Sequence, residues 1–185
     1  EERGAFMVLY LVLVVATDVS GFVRRALENK QAPLSLKWTR IQSDQRFKFV
    51  TIDANLKFWG IDVTGKVYLR YGVKRDNFCG INWSLIEDND EIKFKMLSAG
   101  SDCLWGVSHE NDLYFRENIT KSFPEGTNWS RRGSHKISYV TCNVKNEAMA
   151  IKEPDGSLLI CLDKTRWIEI ATFKLTTISN KGINY

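Results

Sequence analysis

Three kinds of side chain in this 185-residue sequence have chemistry to offer: regularly spaced arginines, six tryptophans, and carboxylates in turn-forming stretches. Arg24, Arg70 and Arg116 recur 46 residues apart, and the next such position, 162, holds Leu. A guanidinium presents a fork of donors that suits phosphate or carboxylate groups. The plainer reading is a solvated outer strand that discourages edge pairing. Trp59, Trp105 and the other tryptophans could stack on sugar faces, since an indole is a broad apolar plate. Their recurrence in register favours packed core instead. Asp62, Glu110 and Asp155 sit in turns, where polar side chains are expected.

Catalytic and metal chemistry find no support. His109 and His135 stand alone, and no His-Glu-x-x-His helix, Gly-x-Ser-x-Gly elbow or Gly-rich phosphate loop occurs in the sequence. No catalytic residue is assigned, and an enzyme is not expected. Cys79, Cys103, Cys142 and Cys161 form no C-x-x-C pair, so neither a metal site nor any other cofactor is expected. Several disulfide pairings are open, as are plain buried thiols. Cys142 and Cys161 fall on second and fourth strands of one unit, which are not neighbours, so a bond between them is not expected.

These residues ride on a repeat. Phe58-Trp59-Gly60-Ile61-Asp62-Val63-Thr64-Gly65-Lys66-Val67-Tyr68-Leu69-Arg70 reads as strand, tight turn, strand. Leu104 to Arg116 follows the same plan, Ala148 to Cys161 is a worn copy, and Val14 to Arg24 is a further one. The turn positions Gly21, Gly65, Asn111 and Gly156 are 44, 46 and 45 residues apart. A second marker, Trp38, Trp83 and Trp129, is spaced by 45 and 46, with Trp167 following after 38. Repeats thus start near 38, 83, 129 and 167. Each reads as four short strands, with the tryptophan strand first and the arginine strand last and outermost. Four-stranded units of roughly 40–50 residues arranged radially make a β-propeller, in which stacked blades bury each other's faces.

The fold class read here is all-β, a β-propeller of four-stranded blades. Residues 17–185 form the propeller, and Phe6 to Ala16 is nearly all apolar. Residues 1–16 are either a signal-type leader ending near Ala16 or an inner strand of the propeller; the apolar run is too short for a membrane span. After Trp167 the chain reaches the start of a third strand by Tyr185 and stops. The hairpin it lacks is the one at Val14 to Arg24, so the N-terminal hairpin can complete the C-terminal blade and close a ring of four. The alternative is a piece of a longer array. Gln31-Ala32-Pro33, Arg75-Asp76-Asn77 and Pro124-Glu125-Gly126 read as loops between blades.

Composition is that of a folded domain, 44% hydrophobic and 26% charged. The net charge of +4 is mild, and the densest basic run is only Arg131-Arg132. Nucleic acid is therefore not an expected partner.

The repeat resembles the tectonin repeat, in which a W-x-x-I strand precedes V-W-G-V-x-x-x-G-x-I-Y-x-R. The residues that carry the resemblance are Trp38-Thr39-Arg40-Ile41 with Phe58 to Arg70, and Trp83-Ser84-Leu85-Ile86 with Leu104-Trp105-Gly106-Val107 and Leu113-Tyr114-Phe115-Arg116. The third copy departs from it, with Met149-Ala150 for Trp-Gly and Cys161 at the arginine end. The resemblance implies a non-catalytic recognition protein. One branch of the family is similar to secreted lectins of innate defence that bind microbial glycans and lipopolysaccharide; another serves as intracellular protein-binding scaffold. Both readings stand, extracellular with glycan partners or cytoplasmic with protein partners. On the lectin reading, repeat position nominates Asp62, Thr64, Lys66, Glu110, Asn111 and Asp155 as carbohydrate-binding loop residues, with Arg70 and Arg116 nearby. Asn82, Asn118 and Asn128 head N-glycosylation sequons that matter only in a secreted protein.

Overall fold

The computed structural model describes residues 10–16, 21–27, 38–41 and 43–171, apart from 54, 75, 76, 78 and 88–91. Among them are fifteen strands in four antiparallel sheets. The first sheet holds β1 (Tyr10–Ala16), β2 (Gly21–Leu27) and β3 (Trp38–Ile41). The second holds β4 (Phe47–Ile52), β5 (Phe58–Asp62), β6 (Val67–Tyr71) and β7 (Asn82–Leu85). The third holds β8 (Phe94–Ala99), β9 (Leu104–Ser108), β10 (Leu113–Arg116) and β11 (Trp129–Arg131). The fourth holds β12 (Ile137–Cys142), β13 (Ala148–Lys152), β14 (Leu158–Cys161) and β15 (Trp167–Ala171). Every strand pairs with its neighbour in sequence, so each sheet is a meander.

The phase of the repeat differs from the reading above. The tryptophan strand is the last of its sheet, not the first: β7 pairs with β6, with Trp83 opposite Arg70, and β11 pairs with β10, with Trp129 opposite Arg116. The arginine strand is therefore third, one place in from the edge. A repeat cut at its most recognisable residue need not start where the hydrogen-bonded sheet starts. The same shift puts Pro124-Glu125-Gly126 inside the third sheet, between β10 and β11, and Asn77 of the Arg75-Asp76-Asn77 stretch inside the second, between β6 and β7; the chain crosses between sheets from β3 to β4, from β7 to β8 and from β11 to β12. The pairing that would close the ring, and the loop at Gln31 to Pro33, fall outside the described residues.

Side chains alternate across the described strands, and the inner strands of the second and third sheets are buried on both faces. All five residues of β5 and of β9 are enclosed. Trp59, Ile61 and Leu69 point into a core shared with Phe94, Leu97 and Leu104 of the third sheet. Phe58 points the other way, against Ile41 of the first sheet. Trp105, Val107 and Phe115 meet Ile137, Val140 and Leu159 of the fourth sheet. Trp59 and Trp105, each 1% exposed, are core, as their recurrence implies.

The small residue after each tryptophan has a local cause. A Cβ on Gly60 would lie 2.7 Å from the ring of Phe47, and one on Gly106 2.6 Å from the ring of Phe94. Each ring crosses its own sheet over the glycine and meets a tyrosine and the closing tryptophan, Tyr68 and Trp83 in one case, Tyr114 and Trp129 in the other. In the fourth sheet Ile137 replaces the phenylalanine and Ala150 replaces the glycine. A smaller strand-opening residue leaves space for one methyl.

Candidate functional site

The turns joining second to third strands gather the nominated loop residues at one end of three adjacent sheets. In the β5–β6 turn, the Asp62 carboxylate accepts from the backbone N–H of Thr64 and Lys66, each at 2.9 Å, and from the Thr64 hydroxyl at 2.7 Å. This aspartate is buried and shapes its turn. Ser108 does the same for the β9–β10 turn, accepting from the N–H groups of Glu110 and Asp112 at 3.2 Å. Asp155 accepts from Ser157 N–H at 3.1 Å. Gly65, Asn111 and Gly156 take positive φ of 94°, 66° and 73°, a conformation open to glycine and, at modest cost, to asparagine.

Two of these turns dock the next sheet. The carbonyl of Gly65 accepts from Phe94 N–H at 2.9 Å, and that of Asn111 from Ile137 N–H at 2.7 Å. The turn that displays Thr64 and Lys66 is thereby tied to the strand that opens the third sheet. Between them lies a cleft of about 920 Å³. Its walls are Thr64 and Lys66 from the turn, Leu85, Ile86 and Glu87 at the end of β7, Ile92, Lys93 and Phe94 at the start of β8, and Trp129 of β11. Thr64, Lys66, Glu87 and Lys93 are exposed, while Trp129 is half-buried against Phe94 with ring centroids 4.4 Å apart. The cleft offers hydroxyl, ammonium and carboxylate groups around an apolar floor. Such a lining binds a polar ligand with one flat apolar face, and the two ammonium groups favour one carrying negative charge.

Other charges at this end form ion pairs with one another. Asp112 accepts from Arg131 at 2.7 Å and Lys136 at 2.8 Å, and Lys152 bridges Asp155 and Glu169 at 2.9 Å each. The Lys152 ammonium holds the Asp155 carboxyl down to about 2. Glu110 is exposed, and the Asn111 amide oxygen accepts from Lys95 Nζ. Burial pushes the Lys95 ammonium down, against the pull of Glu153. Of the nominated residues, only Thr64 and Lys66 line the cleft.

Arg70 and Arg116 lie apart, at the far ends of β6 and β10. They are 5% and 3% exposed, so the expectation of a solvated outer strand does not hold. Each Nε donates to a carbonyl of the following loop at 2.8 Å, Arg70 to Cys79 and Arg116 to Glu125, and each guanidinium lies over its tryptophan, 5.6 Å from Trp83 and 5.5 Å from Trp129. Burial pulls Arg116 down to about 10. These arginines clamp the long loops 72–81 and 117–128. In the fourth sheet the loop is short, residues 162–166, and the register sets Cys161 opposite Trp167 in the arginine's place. The 38-residue tryptophan spacing and the missing arginine therefore have one origin.

Glu87, Ile92 and Lys93 escaped sequence reasoning because the stretch after Trp83-Ser84-Leu85-Ile86 reads as the inside of one unit. Placed correctly it is a crossing between sheets, and a crossing has to pass the turn of the sheet it leaves. The sequons at Asn82, Asn118 and Asn128 are all exposed.

Residues 12–152 match the tectonin domain family model. A 60-residue segment is 32% identical to Tectonin beta-propeller repeat-containing protein 1 of Pongo abelii, spanning 32% of this chain and 4% of that protein. Among solved structures, the chain is similar to human WBSCR16 (TM-score 0.55, 14% identity, 82% of this chain and 47% of the other). It is also similar to YCF48 bound to D1 peptide (TM-score 0.57, 14% identity, 90% and 52%). A third likeness is to virginiamycin B lyase from Staphylococcus aureus (TM-score 0.52, 14% identity, 92% and 60%). The chain spans about half the length of these structures, all β-propellers, and at such identity they speak for the fold alone. With more than half its length matched by the family model and its sheets built as propeller blades, the chain belongs to the tectonin-domain family.

Proposed function

We propose that the chain is a non-catalytic carbohydrate-binding module that holds an anionic glycan in the cleft between its second and third sheets. The observation that carries this reading is the lining of that cleft, where Lys66 and Lys93 flank an apolar floor that includes Trp129. A sugar ring sets its C–H face on the edge of the aromatic pair while its acidic substituent meets the ammonium groups. Thr64 and Glu87 hydrogen-bond the hydroxyls. The ligand class is that of acidic microbial polysaccharide and the phosphorylated sugars of lipopolysaccharide. Exposure of Asn82, Asn118 and Asn128 accords with a secreted, glycosylated protein.

A second reading rests on the relative from Pongo abelii, of which the aligned segment is only 4%. There the matched segment is a small part of a long chain, as suits a protein-binding scaffold, and this chain would then work inside the cell on a protein partner.

Calorimetric titration of lipopolysaccharide and of neutral and acidic oligosaccharides decides between them. Acidic sugars should bind, and Lys93→Glu should weaken them about tenfold or more, a loss of about 1.4 kcal/mol. Absence of binding to every sugar would end the lectin reading and leave the scaffold.

A further inference from the structure

Cys103 and Cys142 face each other across the junction of the third and fourth sheets, sulfur to sulfur at 2.8 Å. Cys103 stands just before β9 and Cys142 ends β12, and both are buried in the core that joins the two sheets, at 3% and 8% exposure. The two sulfurs are in direct contact, and a disulfide needs about 2.05 Å. The surrounding hairpins are tied together on either side. Cys142 N–H donates to Ser98 Oγ at 2.8 Å, Asp102 N–H to Asn146 Oδ1 at 3.0 Å, and Ser101 Oγ to the Val144 carbonyl. Gly100 is part of the same fit, since a Cβ there would lie 2.7 Å from the Cys142 sulfur.

The pair is no by-product of the repeat. At the equivalent junction of the second and third sheets, the register puts Lys57 before β5 and Ala99 at the end of β8. Two cysteines thus stand where a lysine and an alanine stand at the other junction, one in each of two sheets, and they meet. Cys79 lies beside Arg70, away from this junction. Cys161 packs against the same core from the end of β14, two strands from Cys142.

We propose that Cys103 and Cys142 form a redox-active dithiol that a hydroperoxide closes into a disulfide, bonding the third sheet to the fourth. A peroxide is the oxidant class that fits, because a site this enclosed admits a small molecule and not a tripeptide disulfide. The two thiols are unequal. The hydrogen bond between them draws the Cys103 thiol down against the upward push of burial, and the same bond, with burial, pushes Cys142 up. Cys103 is therefore the nucleophile. Its thiolate attacks the peroxide oxygen, the O–O bond breaks, and sulfenic acid forms with release of hydroxide, which takes up the proton Cys103 has given. The Cys142 sulfur then attacks the Cys103 sulfur. The S–O bond breaks, and the departing hydroxide takes the Cys142 proton and leaves as water. Two thiols are oxidised by two electrons in all, and one hydrogen peroxide becomes two waters.

The test uses purified protein freed of reductant, treated with hydrogen peroxide, alkylated in denaturant and mapped by mass spectrometry. The intact mass should fall by two hydrogens, with Cys103 and Cys142 in one linked peptide pair and Cys79 alkylated before and after. The apparent Tm should rise by roughly 5–10 °C and return on reduction. Cys142→Ser should abolish both effects and leave a Cys103 sulfenic acid that dimedone traps, while Cys79→Ser should change neither. Linkage through Cys79 or Cys161 in place of the named pair would overturn the proposal. So would gain of oxygen without a crosslink, or inertness of the folded wild-type chain under conditions that oxidise it when unfolded. The wild-type map reads this result even where a variant fails to fold.

Discussion

At the scale of single residues, Phe47, Gly60, Phe94 and Gly106 show how a repeat motif encodes packing. Each glycine gives its Cβ space to a ring that would otherwise be 2.6–2.7 Å away, and where the ring is absent, at Ile137, the glycine has become Ala150. The pairing predicts strong coupling. Gly60→Ala alone should destabilise by about 1–3 kcal/mol, because the Phe47 ring has to leave its place. Phe47→Ile alone should cost a similar amount through lost aromatic packing against Tyr68 and Trp83. The double variant copies the fourth sheet and should cost less than the sum by about 1 kcal/mol, read from urea unfolding as a double-mutant cycle. Strict additivity would mean that glycine is kept there for another reason. The buried arginines carry the opposite lesson. Spacing identified Arg70 and Arg116 as a set, but spacing alone does not say whether a guanidinium faces water or a carbonyl.

At the scale of elements, the hairpin turn does two jobs. It reverses the chain, and its positive-φ residue turns a carbonyl towards the next sheet, Gly65 to Phe94 and Asn111 to Ile137. A Cβ on Gly65 would lie 2.9 Å from the Cβ of Lys93, whereas Gly133, also at positive φ, has nothing within 4 Å. Alanine at the two positions separates backbone strain from docking. Gly133→Ala should cost about 1 kcal/mol, the left-handed penalty alone. Gly65→Ala should cost about 2–3 kcal/mol, because the third sheet has to move back as well. The same displacement opens the cleft between Thr64 and Lys93, so ligand binding should weaken along with the thermal midpoint. Equal costs for the two variants would show that the docking contact contributes nothing. The loops obey a parallel rule, since the arginine clamp accompanies the long loops 72–81 and 117–128 and is missing from the short 162–166.

At the scale of the whole molecule, stability is carried by junctions. Among the described residues, three cores, each shared by two successive sheets, hold the large apolar side chains, and no described sheet buries both of its faces by itself. Opening one junction exposes both sheets that form it, so protection should follow depth within a sheet. Amide hydrogen exchange followed by mass spectrometry should find β5 and β9 slowest, since every residue of each is buried, and β7, β11 and β15 faster by a factor of about 10 or more. Uniform protection across each sheet would indicate that sheets open as rigid wholes. Oxidation of the cysteine pair should slow exchange on both sides of the third junction and leave the second unchanged.

Read alone, the sequence determined the strand content, the period, the hairpins with their turn residues, and the burial of Trp59 and Trp105. These follow from local rules that recur along the chain: alternation, positive φ at Gly65, Asn111 and Gly156, and a small residue at Gly60, Gly106 and Ala150. Thr64 and Lys66 were within its reach because the turn that holds them is built from adjacent residues. Only the tertiary structure decided the phase of the sheets, the burial of the arginines, the partnership of Cys103 with Cys142, and the place of Glu87 and Lys93 in the cleft. The physical reason is common to all four. A period states that units are alike but not which strand ends one, and groups on different sheets meet only when one sheet has packed against the next.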